Sequence, residues 1–267
     1  MQEVRGAVSR VHADLPQLRR AEMSFQDEET VLLYLPDIES CYLREFRARV
    51  LDNSERGVVL DRTVFHPQGG GQPSDRGFLF YRDMPFQVSS VTKNGGVIHH
   101  VDGWLPDNVT EVEGYIDWTW RYPIMRMHTA QHLVSGVALE LFNAETMGER
   151  ISSEESRVDI ALQDLDQGML DRLEERCNQL ISHRLGVDIR FEEREKFISS
   201  QERQRINLEL VPRSVQMLRL VRIRGFDETP CAGTHVMNLK ELGRIHCTRC
   251  KRKKGGVTGV YYQLTKH

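Results

Sequence analysis

The sequence lacks a long apolar run and contains few cysteines. None of its apolar stretches approaches the roughly 18 residues that a membrane-spanning helix needs. The opening residues Met1-Gln2-Glu3-Val4-Arg5 do not form the apolar centre of a signal peptide. Five cysteines, an odd and widely spaced set in 267 residues, argue against a disulfide framework. We therefore expect a cytoplasmic protein with reduced thiols and no contact with a membrane.

The composition is that of a folded protein, since 39% of the residues are apolar and 28% are charged. The length allows two domains of ordinary size. The net charge is only −3, but seven basic residues oppose one acid, Glu241, in the last segment: Arg244, Arg249, Lys251, Arg252, Lys253, Lys254 and Lys266. This segment is predicted to contact RNA phosphate, and a solvated loop is the simpler alternative.

Short β-branched and aromatic segments fill the first half of the chain. Turn residues such as Asn94-Gly95-Gly96 separate them. This pattern predicts a small antiparallel barrel or sandwich. The predicted strands are Tyr42–Leu51, Gly57–Leu60, Gly77–Tyr81, Phe86–Val91, Val97–Val101 and Val112–Ile116.

A glycine-rich loop lies within this β region. Gly69, Gly70 and Gly71 are consecutive, so no Cβ shields the backbone N–H groups between them from a ligand. Such a loop can present its N–H groups to a phosphate or carbonyl oxygen. A tight loop between strands is the alternative, because the segment lacks the spacing of a phosphate-binding P-loop or a dinucleotide site.

Two short runs carry the metal chemistry. His128 and His132 lie four residues apart in a segment with helical periodicity, so their rings share one helix face within roughly 5–6 Å. Cys231 and His235 have the same separation. Together they form a Cys1His3 set that favours one zinc ion. Histidines so spaced are more often ordinary surface or core residues, but each run supplies ligands that the other lacks. Thr129 stands where a zincin metalloprotease carries its glutamate.

The second half of the chain mixes strands and helices without a regular βαβ rhythm, which indicates an α+β fold with long helices packed on one face of a sheet. Cys177 lies on the apolar stripe of one such helix and is predicted to be a core thiol. Cys247 and Cys250 lack a second pair and are not expected to bind metal. The predicted elements are a helix that begins near Pro123, strands Arg157–Ala161, Asp188–Glu192, Leu218–Arg224, Gly243–His246 and Gly259–Leu264, and helices Leu165–Leu180 and Arg194 to about Glu209.

Three motifs in this order resemble those of the free-standing alanyl-tRNA editing proteins (AlaX) and of the editing domain of alanyl-tRNA synthetase. The first begins at Thr63 and reads Thr-Val-Phe-His-Pro-Gln-Gly-Gly-Gly-Gln-Pro-Ser-Asp. The second begins at His128 and reads His-Thr-Ala-Gln-His-Leu, and the third begins at Cys231 and reads Cys-Ala-Gly-Thr-His. The medium-length AlaX type is the best match to the length. One stretch differs, because residues 148–151 read Gly-Glu-Arg-Ile where the family usually has Gly-Asn-Gln-Ile.

Residues 1–27 show no clear strand or helix pattern and are predicted to be an extension that is not part of the family pattern. The resemblance implies a β-barrel domain at 28–118 and a zinc-containing α+β editing domain at 119–267. It implies hydrolysis of tRNA(Ala) mischarged with serine, with glycine as a further candidate, and no use of ATP. The implied ligands of one Zn²⁺ ion are His128, His132, Cys231 and His235. The implied pocket residues are Gly69, Gly70, Gly71 and Gln72, which face the acceptor end, and Thr63, which recognises the serine hydroxyl.

Two alternatives stay open. The chain could be a non-catalytic, zinc-stabilised tRNA-binding module, because four protein ligands usually mark a structural zinc site. It could also be a zinc hydrolase for another ester. No general base stands out in the sequence, since neither metal motif contains a carboxylate.

Overall fold

A computed structural model describes residues 30–199 and 211–265. The predicted extension at residues 1–27, the end of the helix predicted to reach Glu209, and Lys266 lie outside these ranges. The boundaries of the three predicted domains stay a prediction. No helix of the described part has both the length and the apolar character needed to cross a membrane.

A closed six-stranded antiparallel barrel forms the first half, as the strand pattern predicted. Its strands are β2 (Glu45–Ser54), β3 (Gly57–Leu60), β5 (Gly77–Tyr81), β6 (Met84–Lys93), β7 (Val97–Val101) and β8 (Glu111–Ile116). Neighbouring strands follow the order β2-β3-β7-β6-β5-β8 around the barrel. The apolar core includes Leu60, Phe65 and Leu79, all fully buried. Beside the barrel, β1 (Val31–Leu32) pairs in parallel with β4 (Arg62–Thr63).

The second half packs helices against two further antiparallel sheets, which confirms the α+β class. The strands are β9 (Thr146–Arg150), β10 (Ser156–Ile160), β11 (Val187–Glu193), β12 (Met217–Ile223), β13 (Asp227–Pro230), β14 (Arg244–Arg252) and β15 (Thr258–Thr265). One sheet has the order β14-β15-β10-β9 and the other β11-β12-β13. The helices are α1 (Trp118–Phe142), α2 (Gln167–Ser182) and α3 (Arg194–Ser199).

Helix α1 crosses the core of this half. The Asp117 side chain caps it by accepting hydrogen bonds from the N–H groups of Thr119 and Trp120. The predicted start near Pro123 is wrong, because the helix begins five residues earlier and Pro123 lies inside it. Eight consecutive residues, 127–134, are buried. The helix is therefore enclosed on almost all sides here, rather than on the one face that its apolar stripe predicted.

Helix α2 packs on α1 and on the β14 strand. Leu170, Leu173 and Cys177 face this contact and are at most 2% exposed, which confirms Cys177 as a core thiol. An amphipathic helix of 16 residues is held in such a position mainly by burial of its apolar face.

A buried ion pair joins α1 to the barrel loop. The Arg121 guanidinium is fully buried and bonds both carboxylate oxygens of Asp75, with Nε 2.7 Å from Oδ1. It also donates to the carbonyl oxygens of Cys41 and Val64 at 3.1 and 2.6 Å. A charge removed from water in this way needs every one of these partners. The ion pair fixes where α1 begins relative to the glycine-rich loop.

Candidate metal centre

Four side chains from two distant segments converge beside α1. The potential ligand atoms of His128, His132, Cys231 and His235 all lie within 4.8 Å of one another. The Sγ atom of Cys231 is 3.3 Å from Nε2 of His235 and 3.6 Å from Nε2 of His128. Among the described residues this is the one such group of three or more His, Cys, Asp or Glu side chains.

These distances fit a tetrahedral zinc site. Bonds of about 2.0–2.1 Å to nitrogen and about 2.3 Å to sulfur hold tetrahedral ligand atoms about 3.3–3.6 Å apart. The sulfur–nitrogen distances of 3.3 and 3.6 Å match that spacing, and the group as a whole, within 4.8 Å, would close slightly around a bound ion. The donor set of one thiol and three imidazoles suits zinc better than calcium or magnesium.

The backbone around Cys231 is shaped to admit the His128 ring. A Cβ atom on Gly233 would lie only 2.2 Å from Cε1 of His128, so a larger residue cannot stand there without displacing the ring. The Gly233 N–H donates to Cys231 Sγ at 3.3 Å. Arg219 also binds this segment, because its guanidinium donates hydrogen bonds to the carbonyl oxygens of Cys231 and Leu35.

Gln72 orients His128. Its Oε1 accepts the N–H of Thr234 at 3.0 Å and lies 2.8 Å from Nδ1 of His128. Because an amide oxygen can only accept, Nδ1 carries the hydrogen and Nε2 keeps its lone pair for a metal. The Gln72 amide nitrogen donates in turn to the Thr234 hydroxyl at 2.9 Å. Gln72 was predicted to be a pocket residue, and no sequence signal indicates its contact with His128.

Thr129 orients His235 as Gln72 orients His128. Its hydroxyl oxygen is 3.1 Å from Nδ1 of His235 and accepts the N–H of Val236 at 3.1 Å. The Nε2 atom of His235 is therefore turned toward Cys231. Hydrogen bonds of this kind fix the ring orientation and tautomer of metal-binding histidines.

Burial keeps the imidazoles neutral. It lowers the pKa of His128 and His235 well below the usual 6.5, and the pKa of His132 to about 4. Burial also raises the pKa of the Cys231 thiol to about 11. Neutral imidazoles can bind a metal directly, whereas the thiol must lose its proton as the metal binds.

The glycine-rich loop lies directly beside this cluster. Gly69 and Gln72 exchange two backbone hydrogen bonds of 3.1 and 2.9 Å, and Gly70 and Gly71 have positive φ angles of 52° and 73°. The three glycines are exposed, while Gln72 is 1% exposed. The turn therefore points Gln72 inward and leaves the glycine backbone open to solvent.

Thr63 lies inside the barrel rather than on an open surface. It is fully buried, its hydroxyl oxygen accepts the Phe65 N–H at 3.1 Å, and it is 2.9 Å from Nε2 of His99. The other His99 ring nitrogen, Nδ1, is 3.0 Å from the carbonyl oxygen of Val58 and must donate to it. His99 Nε2 is thus an acceptor, and the Thr63 hydroxyl donates to it.

The basic segment is largely neutralised by nearby acids. Arg249 pairs with Glu155 at 2.6 Å, Lys253 pairs with Asp159 at 2.6 Å, and Arg252 pairs with Asp164. Most of the segment belongs to β14, which extends to Arg252 and is longer than the predicted Gly243–His246 strand. Within the described ranges, Lys251 and Lys254 form no ion pair and are exposed.

Comparisons with known proteins agree with this geometry. Two family models match, "tRNA synthetases class II (A)" at residues 10–120 and "Threonyl and Alanyl tRNA synthetase second additional domain" at residues 218–261. The second match contains Cys231 and His235, which puts two candidate ligands in a synthetase-related domain.

Individual relatives define the protein family more narrowly than the two family models do. The chain is 33% identical over 246 residues to the alanyl-tRNA editing protein AlaX-M of Methanosarcina barkeri, covering 88% of this chain and 99% of that protein. It is 35% identical over 236 residues to AlaX-M of Saccharolobus solfataricus, covering 87% and 98%. It is 36% identical over 220 residues to AlaX-L of Pyrococcus horikoshii, covering 79% of this chain but only 53% of that longer protein. The chain belongs to the alanyl-tRNA editing protein family.

Proposed function

We propose that this chain is an aminoacyl-tRNA deacylase that removes the wrong amino acid from tRNA(Ala), chiefly serine, with glycine as a second substrate to be tested. The observation that carries the proposal is the convergence of three buried imidazoles and one thiol beside an exposed glycine loop. The names of its relatives support the same function. The reaction belongs in the cytoplasm, where aminoacyl-tRNA is used, and needs no ATP.

His128, His132, Cys231 and His235 would hold one Zn²⁺ ion. Bound there, zinc supplies a Lewis acid beside the aminoacyl ester. The chain itself orients two of the rings through Gln72 and Thr129. The exposed backbone of Gly69, Gly70 and Gly71 would contact the acceptor end, since the glycines carry no side chain of their own that would block a phosphate or a ribose.

Thr63 is proposed to separate serine from alanine. Its hydrogen already goes to His99, and one of its oxygen lone pairs accepts the Phe65 N–H. The second lone pair of the Thr63 hydroxyl oxygen remains free to accept a hydrogen bond. A serine hydroxyl can donate to it, and an alanine methyl group cannot. Thr63 is fully buried, so the contact requires the neighbouring loop to move when the acceptor end binds. The Thr63→Val variant should still fold but lose about 1–3 kcal/mol of stability, because the Phe65 N–H and His99 Nε2 lose their partner, and it should hydrolyse Ser-tRNA(Ala) at least about 10-fold more slowly. An unchanged rate would remove Thr63 from the pocket.

The RNA partner would approach along the β14–β15 hairpin. Lys251 and Lys254 are free to neutralise phosphate, while the other described basic residues of the segment would first have to exchange their acidic partners. We therefore assign the first RNA contact to these two lysines. Replacing both with Gln should weaken tRNA binding and lower its salt dependence, measured by filter binding at several salt concentrations.

One deacylation assay separates the candidate functions. Zinc-loaded protein is mixed with Ser-, Gly- and Ala-tRNA(Ala), with and without a chelator. A deacylase releases serine, spares alanine and stops when the metal is removed. A non-catalytic tRNA-binding module binds the tRNA and releases no amino acid. A hydrolase for another ester cleaves small esters without depending on tRNA.

A further inference from the structure

Glu149 lies against the glycine loop. It belongs to β9, and a Cβ atom on Gly71 would be 2.6 Å from its Cγ and 3.3 Å from its Oε1. The N–H of Ile151, two residues further on, donates to the Gly71 carbonyl oxygen at 2.9 Å. β9 and the loop are thus fixed to each other. The Glu149 side chain therefore lies against Gly71, and the next residue in the chain, Gln72, contacts His128.

The carboxylate of Glu149 is half-buried, and among the described residues it has neither a hydrogen-bond partner nor an ion pair. The other carboxylates around the loop differ in this respect. Both oxygens of Asp75 are taken by Arg121, and Asp61 accepts from the backbone and side chain of Arg49. A carboxylate held in this way is a poor proton acceptor. Glu149 retains its lone pairs for a molecule that enters beside the loop.

Electrostatic effects agree with the geometry. Burial raises the pKa of Glu149 above its usual value, and the neighbouring charge of Asp159 raises it further. A half-buried carboxylate is a stronger base than an exposed one.

We propose that Glu149 is the general base of the deacylation reaction. The inference rests on the proposed deacylase function and is particular to this chain, because Glu149 stands where the family usually has Asn. The Glu149 carboxylate takes a proton from water while the water oxygen bonds to the ester carbonyl carbon. The same proton then passes to the ribose oxygen as its bond to that carbon breaks. The products are the free amino acid and a tRNA with an intact terminal hydroxyl, and nothing is oxidised or reduced.

The test compares Glu149→Gln with a matched control, Glu145→Gln. Glu145 is exposed and lies just before the same strand. Zinc-loaded proteins are assayed on Ser-tRNA(Ala) under saturating and limiting substrate. We expect Glu149→Gln to lower kcat at least about 100-fold, as loss of a general base does, with KM and zinc content within twofold of wild type. The control should retain the wild-type rate.

A second variant, Glu149→Ala, removes the side chain and leaves room for a small acid. Added formate should restore part of its rate and should not affect wild type or the control. A Glu149→Gln rate within threefold of the wild-type rate overturns the proposal. A raised KM with an unchanged kcat also overturns it, because Glu149 would then bind the substrate ammonium group rather than accept a proton. If Glu149→Gln does not fold, lack of formate rescue in Glu149→Ala overturns it. Failure of the wild-type protein itself to release serine refutes the deacylase function instead.

Discussion

Gln72 provides a sharp test of the metal centre because its side chain reaches His128 from another part of the chain. Gln72→Leu keeps the volume and the burial of this side chain but removes the acceptor for His128 Nδ1 and for the Thr234 N–H. The four candidate ligands are untouched. Any change in zinc affinity must then come from the orientation of His128 or from the Thr234 backbone that precedes His235.

The expected size follows from these contacts. A buried donor left without a partner costs about 1–3 kcal/mol, and loss of a hydrogen bond behind a metal-binding histidine lowers metal affinity about 10- to 100-fold. That loss of affinity corresponds to about 1.4–2.8 kcal/mol, which is the same size as the cost of the unpaired donor. Gln72→Glu retains the acceptor and should lose much less affinity.

Zinc affinity is best measured by competition with a chromophoric chelator at fixed pH. Cobalt substitution then reports, through its thiolate absorption band, whether Cys231 still binds. The control is Gln68→Leu, since Gln68 is exposed in the same loop. If Gln72→Leu binds zinc within threefold of wild type, the orienting role of Gln72 is wrong.

Three further predictions concern stability and the metal. Asp75→Asn leaves the buried Arg121 cation unpaired and should lower the free energy of unfolding by about 3–5 kcal/mol in urea; a loss below about 1 kcal/mol contradicts this. Burial raises the pKa of Asp227 from 3.8 to about 6, so the folded chain binds the extra proton between these values and loses stability as pH rises through them. Asp227→Asn should therefore be more stable at pH 7.5, by up to about 3 kcal/mol, with a melting temperature equal to wild type near pH 3.8. Gly233→Ala should displace His128 and be purified with little zinc; full metal content would refute the clash.

The barrel could be predicted from the sequence because its signals are local. Alternating apolar residues and turn residues define each strand, and Gly57–Leu60, Gly77–Tyr81 and Val97–Val101 were predicted with the bounds that the structure has. The two-residue strands β1 and β4 are too short for any alternation to show. Pro123 was misleading, because proline is typical of a first helical turn while the Asp117 cap had already started the helix.

The site was only partly predictable. His, Cys and their four-residue spacing are informative in themselves, so the four candidate ligands could be chosen from the sequence alone. Gln72 and Arg121 could not be assigned in this way. Their partners lie 56, 162 and 46 residues away along the chain, and neither residue type indicates a buried role by itself. Glu149 was visible in the sequence only as a departure from the family pattern.

The Arg121–Asp75 pair also bears on how the protein is made. All six barrel strands leave the ribosome before Arg121 does, since the last of them ends at Ile116. Until that arginine is synthesised, Asp75 has no cation with which to enter the interior. The Asp75 side chain must therefore stay hydrated in the nascent barrel. The loop that carries Gln72 can reach its final conformation only after the following helix has emerged.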